Sequence, residues 1–209
     1  MKSRILGLAL CIFALLITPT AWSAESTNAP KALVENTLNQ IVAIVEKLPG
    51  DANRQERRAN ILDVMKQRFD FEEMSKRSLG AEWLKITPDQ QAEFVKVFSD
   101  LLARTYINKV DELRRNMVTM KEQKLEGNKA LVKTIVEYKK DKFPLDYKLI
   151  QQNNDWRVYD VIIENIGLVA NYRNEFAGII RKDKFPGLLE KLKTKNINAD
   201  KASKEQAQS

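Results

Sequence analysis

The sequence predicts an α+β protein: a helical half, a four-stranded antiparallel sheet, and closing helices. Three observations carry that reading. From Lys31 to about Leu113 the apolar residues recur at intervals of three and four. From Asn116 to Ile166 the period is two, and short polar turns interrupt it. From Gly167 the helical spacing returns. Helices, then strands, then helices is the order of an α+β fold.

The first stretch stands apart from the fold. Lys2 and Arg4 precede an apolar run from Ile5 to Ile17, Pro19 breaks it, and Ala21-Trp22-Ser23 places small residues where signal peptidase reads. This is the three-part pattern of a secretory signal. The run is shorter than the roughly 20 residues a spanning helix needs. The expectation is a signal peptide over 1–23, a linker over 24–30 and an exported, monomeric chain. One domain is expected over 31–194, with a helical part at 31–115, the sheet at 116–166 and C-terminal helices at 167–194. A polar tail follows at 195–209.

The elements can be justified in order. Leu33, Val34, Leu38, Ile41, Val42, Val45 and Leu48 make a wide apolar stripe, and Pro49-Gly50 ends that helix. A second helix is predicted from about Ala52 to Arg68. Asp70 is placed to cap a short third helix, with Glu72 and Glu73 in the first turn where the dipole favours them. Gly80 suits the end of that helix. Thr87-Pro88-Asp89-Gln90 is a capping box with proline at the first helical position. The helix it opens is expected to reach Asn116.

Strands follow at 116–125, 129–140 and 143–151, with a fourth after the Asn153-Asn154-Asp155 turn signal. Val132, Thr134, Val136 and Tyr138 share one face of the second strand. The fourth strand is apolar on both faces: alternation puts Trp156, Val158 and Ile162 on one side and Tyr159, Val161 and Ile163 on the other. Such a strand needs cover on both sides. The last helices are expected over 167–182 and 185–192.

The residue inventory excludes much chemistry. The chain has no histidine, and its one cysteine, Cys11, lies in the signal. The mature chain therefore has no disulfide, and the common zinc, Ser-His-Asp and Cys-His systems are ruled out. No catalytic residue and no metal site is expected. Seven glycines form no phosphate-cradling motif. The formal net charge is +7, of which Lys2 and Arg4 contribute two, and the charges are interspersed. The basic runs lack interleaved aromatics, so no nucleic-acid partner is expected. Asp160, set in an apolar strand, could serve as a general base or as a structural carboxylate. The surplus of apolar residues and tyrosines around the sheet suits either an ordinary core or a cavity for an apolar ligand, because both need the same residue types.

The stretch from Trp156 to Phe176, WRVYDVIIENIGLVANYRNEF, resembles the C-terminal signature of the MlaC family, also called the toluene-tolerance family. Trp156, Val158, Tyr159, Asp160, Glu164, Leu168, Asn171, Tyr172, Arg173 and Phe176 fit its pattern. Asn165-Ile166-Gly167 departs from the family's Gly-Val-Ser form. Phe69-Asp70-Phe71, Leu79-Gly80 to Trp83, Thr87-Pro88 to Phe94, and Thr105-Tyr106 extend the likeness over about Ala32 to Leu192.

The resemblance implies a cone like that of nuclear transport factor 2, with a curved four-stranded antiparallel sheet and a helical subdomain enclosing an apolar cavity, and a periplasmic, non-enzymatic carrier. Its cargo would be a phospholipid, with no other cofactor. Its partners would be an outer-membrane lipoprotein–porin complex and an inner-membrane ABC transporter with an MCE-domain ring, and its role would be to maintain outer-membrane lipid asymmetry. The expected cavity walls are Phe98, Leu102 and Tyr106 on the long helix, Val132, Val136, Tyr147, Leu149, Val158 and Ile162 on the sheet, and Tyr172 and Phe176 after it. The rival readings are a small enzyme with Asp160 as base and a lipid-free adaptor.

Overall fold

The computed structural model describes residues 29–208, with side chains as far as Ile197, and among these it has five α-helices and one open antiparallel sheet. The expected signal peptide, the linker up to residue 28 and Ser209 lie outside the described residues. Helix α1 spans Pro30–Lys47 with proline at its first turn, and Gly50, at φ +78°, makes the turn after it. Helix α2 spans Arg54–Arg68. Helix α3 spans Phe71–Leu79, and its cap is the expected one: Asp70 Oδ1 accepts from the Glu73 amide at 2.9 Å. A 3₁₀ turn over Gly80–Lys85 buries Trp83 and leads into α4, Pro88–Asp111. The capping box at Thr87 and Gln90 is formed in both directions.

Helix α4 stops earlier than its apolar spacing suggests. Glu112 is its C-cap, the Leu113 and Met117 amides close turns onto Val110 and Arg114, and Asn116 has φ +69°. The chain thereby reverses into β1, Val118–Glu126. The sheet continues as β2 (Lys129–Tyr138), β3 (Asp141–Gln152), β4 (Asp155–Ile163) and a two-residue β5 (Ile166–Gly167), joined in sequence order. The four expected strands are present, and β5 is an addition to them. Positive φ at Asn153, Asn154, Glu164 and Asn165 builds the last two turns with a hand that matches the right-handed strand twist.

Two bulges bend the sheet. One falls in β1 between Met120 and Gln123. The other falls in β4, where Leu149 pairs with Val158 and Lys148 with Asp160, so that Tyr159 is the extra residue. The second bulge corrects the alternation expected for β4. An extra residue reverses the phase of everything after it. Val158 therefore shares its face with Val161 and Ile163, and Ile162 turns to the opposite, convex side.

Helix α5 runs Leu168–Gln208 and is broken at Lys184 (φ 59°, ψ 179°), two residues before Pro186. The expected break between two closing helices is this one. The helix also continues through the expected polar tail. Asn196 ties it down, donating from Nδ2 to the Val97 carbonyl at 3.0 Å.

Three apolar clusters hold the elements together. The largest joins α3, α4 and α5 around Phe94, Phe98, Tyr172, Phe176 and Phe185. A second lies where α1 crosses one end of the sheet, with Leu33, Val34, Val132, Leu149 and Trp156. The third joins α1, α2 and α4 through Ile41, Val45, Ile61 and Ile107.

Candidate functional site

Between these clusters the apolar residues do not close on one another. They surround a cavity of about 440 Å³. Helix α1 contributes Val34, Thr37, Leu38 and Ile41; the α2–α3 corner contributes Met65, Phe69, Phe71 and Met74; α4 contributes Leu102, Tyr106 and Val110. The concave face of the sheet supplies Val118, Val136, Tyr138, Phe143, Leu145, Tyr147, Val158, Val161 and Ile163, and Leu168 of α5 joins them. The α2–α3 corner is fastened to the sheet by the Asp70 amide, which donates to the Val158 carbonyl at 2.8 Å.

The few polar groups on these walls are neutralised locally. Thr37 donates its hydroxyl to the Leu33 carbonyl at 2.7 Å. Burial pushes the Tyr106 hydroxyl above its ordinary range. Burial, and next the charge of Asp146, push that of Tyr147 far up. Both phenols are therefore neutral at physiological pH. Tyr147 retains exposed surface although it lies deep in the molecule, because that surface faces the cavity. Charge appears on the lining at Lys109 and Glu112, both exposed, beside Leu113 and Met117. That end is the mouth. There Tyr138 donates its hydroxyl to Glu112 and bridges β2 to the end of α4.

Of the residues expected on the walls, Leu102, Tyr106, Val136, Tyr147 and Val158 line this cavity. The others sit elsewhere, each for a physical reason. Phe98, Tyr172 and Phe176 stack edge-to-face in the helical core, with ring centroids 5.1 Å apart for Phe98–Tyr172 and 5.3 Å for Phe98–Phe176. In that core, burial pushes the Tyr172 hydroxyl up to about 12. Val132 and Leu149 are on the concave face but under α1, where the second cluster fills the space. Ile162 is on the convex side because of the bulge. Sequence reasoning missed Phe143, Leu145 and Tyr138, although they share strand parity with Tyr147 and Val136. It also missed Val110, one turn beyond Tyr106 on the same stripe. The contribution of α1 and of the α2–α3 corner had no signal in the sequence.

Asp160 does not face the cavity. It is 5% exposed, accepts from the Val169 amide at 3.0 Å, and lies 3.5 Å from Lys148 Nζ. It therefore caps the first turn of α5. Gly167 makes that approach possible, since a Cβ there would come within 3.2 Å of Asp160 Oδ2. Among the described residues no group of three or more Asp, Glu, His or Cys side chains could hold a metal, and no helix is long and apolar enough to cross a membrane.

The fold and the site define a class: an α+β protein with an apolar cavity between a curved sheet and its helices. A family model described as MlaC protein matches residues 35–194, and the chain belongs to that family. Among solved structures it is similar to a phospholipid-binding protein from Ralstonia solanacearum in complex with a phospholipid. The TM-score is 0.74 at 26% identity, covering 81% of this chain and 98% of that one. No curated protein matches.

Proposed function

We propose that this protein is a periplasmic phospholipid carrier. The acyl chains lie in the cavity and the headgroup stands at its mouth. The observation that carries the reading is the cavity itself. At about 24 cal/mol per Å³, a void of this size closed and left unfilled would cost about 10 kcal/mol, as much as the whole stability of an ordinary domain. Open at its mouth, the cavity instead presents apolar walls that an occupant would cover, and those walls suit hydrocarbon.

The energetics of the cargo agree. Each CH₂ moved from water into an apolar site gains about 0.8 kcal/mol, so a chain of about 16 carbons gains roughly 13 kcal/mol. Release into water is correspondingly slow. Transfer therefore takes place on docking, between an outer-membrane lipoprotein–porin complex and an inner-membrane ABC transporter with an MCE-domain ring, and serves outer-membrane lipid asymmetry. Family membership, the likeness to a phospholipid-binding protein and the signal-like N-terminal sequence support this setting.

Native mass spectrometry of protein secreted to the periplasm tests it. The expected result is a mass increment matching a phospholipid, lost on organic extraction. A bare mass, together with failure to take up added phospholipid, would overturn the carrier reading.

A further inference from the structure

We propose that Lys109 holds the phosphate of the bound lipid at the cavity mouth and selects phosphate-headed amphiphiles over neutral ones with the same chains; this rests on the phospholipid reading. Lys109 and Glu112 are the charged residues of the lining. They stand three residues apart at the end of α4, yet they are not paired with each other. Glu112 accepts from the Tyr138 hydroxyl. Lys109 places Nζ 5.2 Å from the Tyr138 ring centroid, and Lys139 places Nζ 5.1 Å from the same centroid. Such cation–π contacts at an exposed site are weak and easily exchanged.

The nearby carboxylates that could neutralise these lysines are engaged elsewhere. Asp111 pairs with Arg57 and Arg58, Glu137 with Lys142 at 2.9 Å, and Glu46 with Arg115 at 2.6 Å. Among the described residues no ion pair is formed by Lys109 or Lys139. Glu112 keeps its negative charge, because the group that donates to it is a neutral phenol, so Lys109 and Lys139 set two positive charges beside Tyr138 against that one carboxylate at the mouth. When acyl chains fill the interior, the phosphodiester sits where chain meets head, at this mouth. Lys109 belongs to the cavity lining and is itself exposed, which suits a side chain with an apolar stem and a charged head. An ammonium binds phosphate as a point charge and imposes no fixed headgroup geometry. The shared chemistry is a phosphate, either of a lipid or free in solution.

The test uses mature protein stripped of lipid and reloaded in competition with phosphatidylethanolamine or with diacylglycerol carrying the same chains. Wild-type protein is expected to favour the phospholipid by about twofold to fivefold, as an exposed charge pair allows, and to lose part of that preference at high salt. Lys109→Met is expected to bring the ratio close to one, and Lys109→Arg to restore it. An unchanged ratio in Lys109→Met overturns the proposal. So does equal weakening for both lipids, which would mark the stem as wall and nothing more. Wild-type protein that takes neither lipid removes the carrier reading itself. Inorganic phosphate alone is expected to leave the melting temperature of stripped protein unchanged. A Lys109-dependent rise would assign the site to free phosphate instead.

Discussion

Phe98 and Tyr106 lie on one stripe of α4, two turns apart, and have different jobs. Phe98 is fully buried against Tyr172 and Phe176, whereas Tyr106 borders the cavity. Substitutions should separate the two roles. Phe98→Ala removes a ring from a filled core and is expected to cost about 3–5 kcal/mol in urea denaturation. Val136→Trp adds bulk where there is space, so it should lower lipid occupancy severalfold while the melting temperature of the lipid-free protein stays close to wild type. Unaltered occupancy across Val136 and other bulky wall substitutions would show that the lipid lies elsewhere. Parity made Val136, Tyr147 and Val158 legible in advance. It misplaced Ile162, because one extra residue at Tyr159 inverts the faces beyond it.

Two carboxylates decide how elements join. Asp160 caps α5 and is buried, so Asp160→Ala strands the Val169 amide and is expected to cost about 1–3 kcal/mol. Lipid carriage by the folded variant should persist; its loss would revive a direct role for this carboxylate. Asp111 ties α4 to α2 through Arg57, whose guanidinium also donates to the Leu48 and Gly50 carbonyls at 2.6 and 2.8 Å. Burial pushes the Asp111 carboxyl up. The Arg57 hydrogen bond and the charges of Arg57, Arg58 and Arg54 outweigh this and hold it below its ordinary range. A carboxylate depressed on folding stabilises above its unfolded value, near about pH 4, and that stability is lost as pH falls through the folded value. Asp111→Asn should therefore cost about 2–3 kcal/mol at neutral pH, with the gap from wild type closing below about pH 4. Chemical denaturation at a series of pH values reads this directly. A gap that does not change with pH would mean that the tie is not ionic.

At the scale of the molecule, apolar clusters surround the cavity, and stability should depend on its occupant. A ligand that binds only the folded state adds about 2.7 kcal/mol at a hundred times its dissociation constant. Stripping lipid is expected to lower the melting temperature by several degrees, and restoring phospholipid should recover it. Scanning calorimetry of loaded, stripped and reloaded protein checks this. Identical transitions in all three would argue for a core that needs no cargo.

Local rules in the sequence determined a good deal. The order of helices and strands, the caps at Asp70 and Thr87, the hairpin signal at Asn153-Asn154 and the family signature from Trp156 to Phe176 depend on neighbours a few residues apart. They were readable because capping and alternation act over that distance. The tertiary structure alone decided which apolar residues touch each other and which face space. Phe98 and Leu102, or Val132 and Val136, are chemically interchangeable on one stripe or strand. What separates them is where α1 stops covering the sheet, and how the bulge at Tyr159 turns the end of β4. Those are long-range contacts, and the hydrophobic pattern is the same whether the space beyond a side chain is filled or left for a lipid.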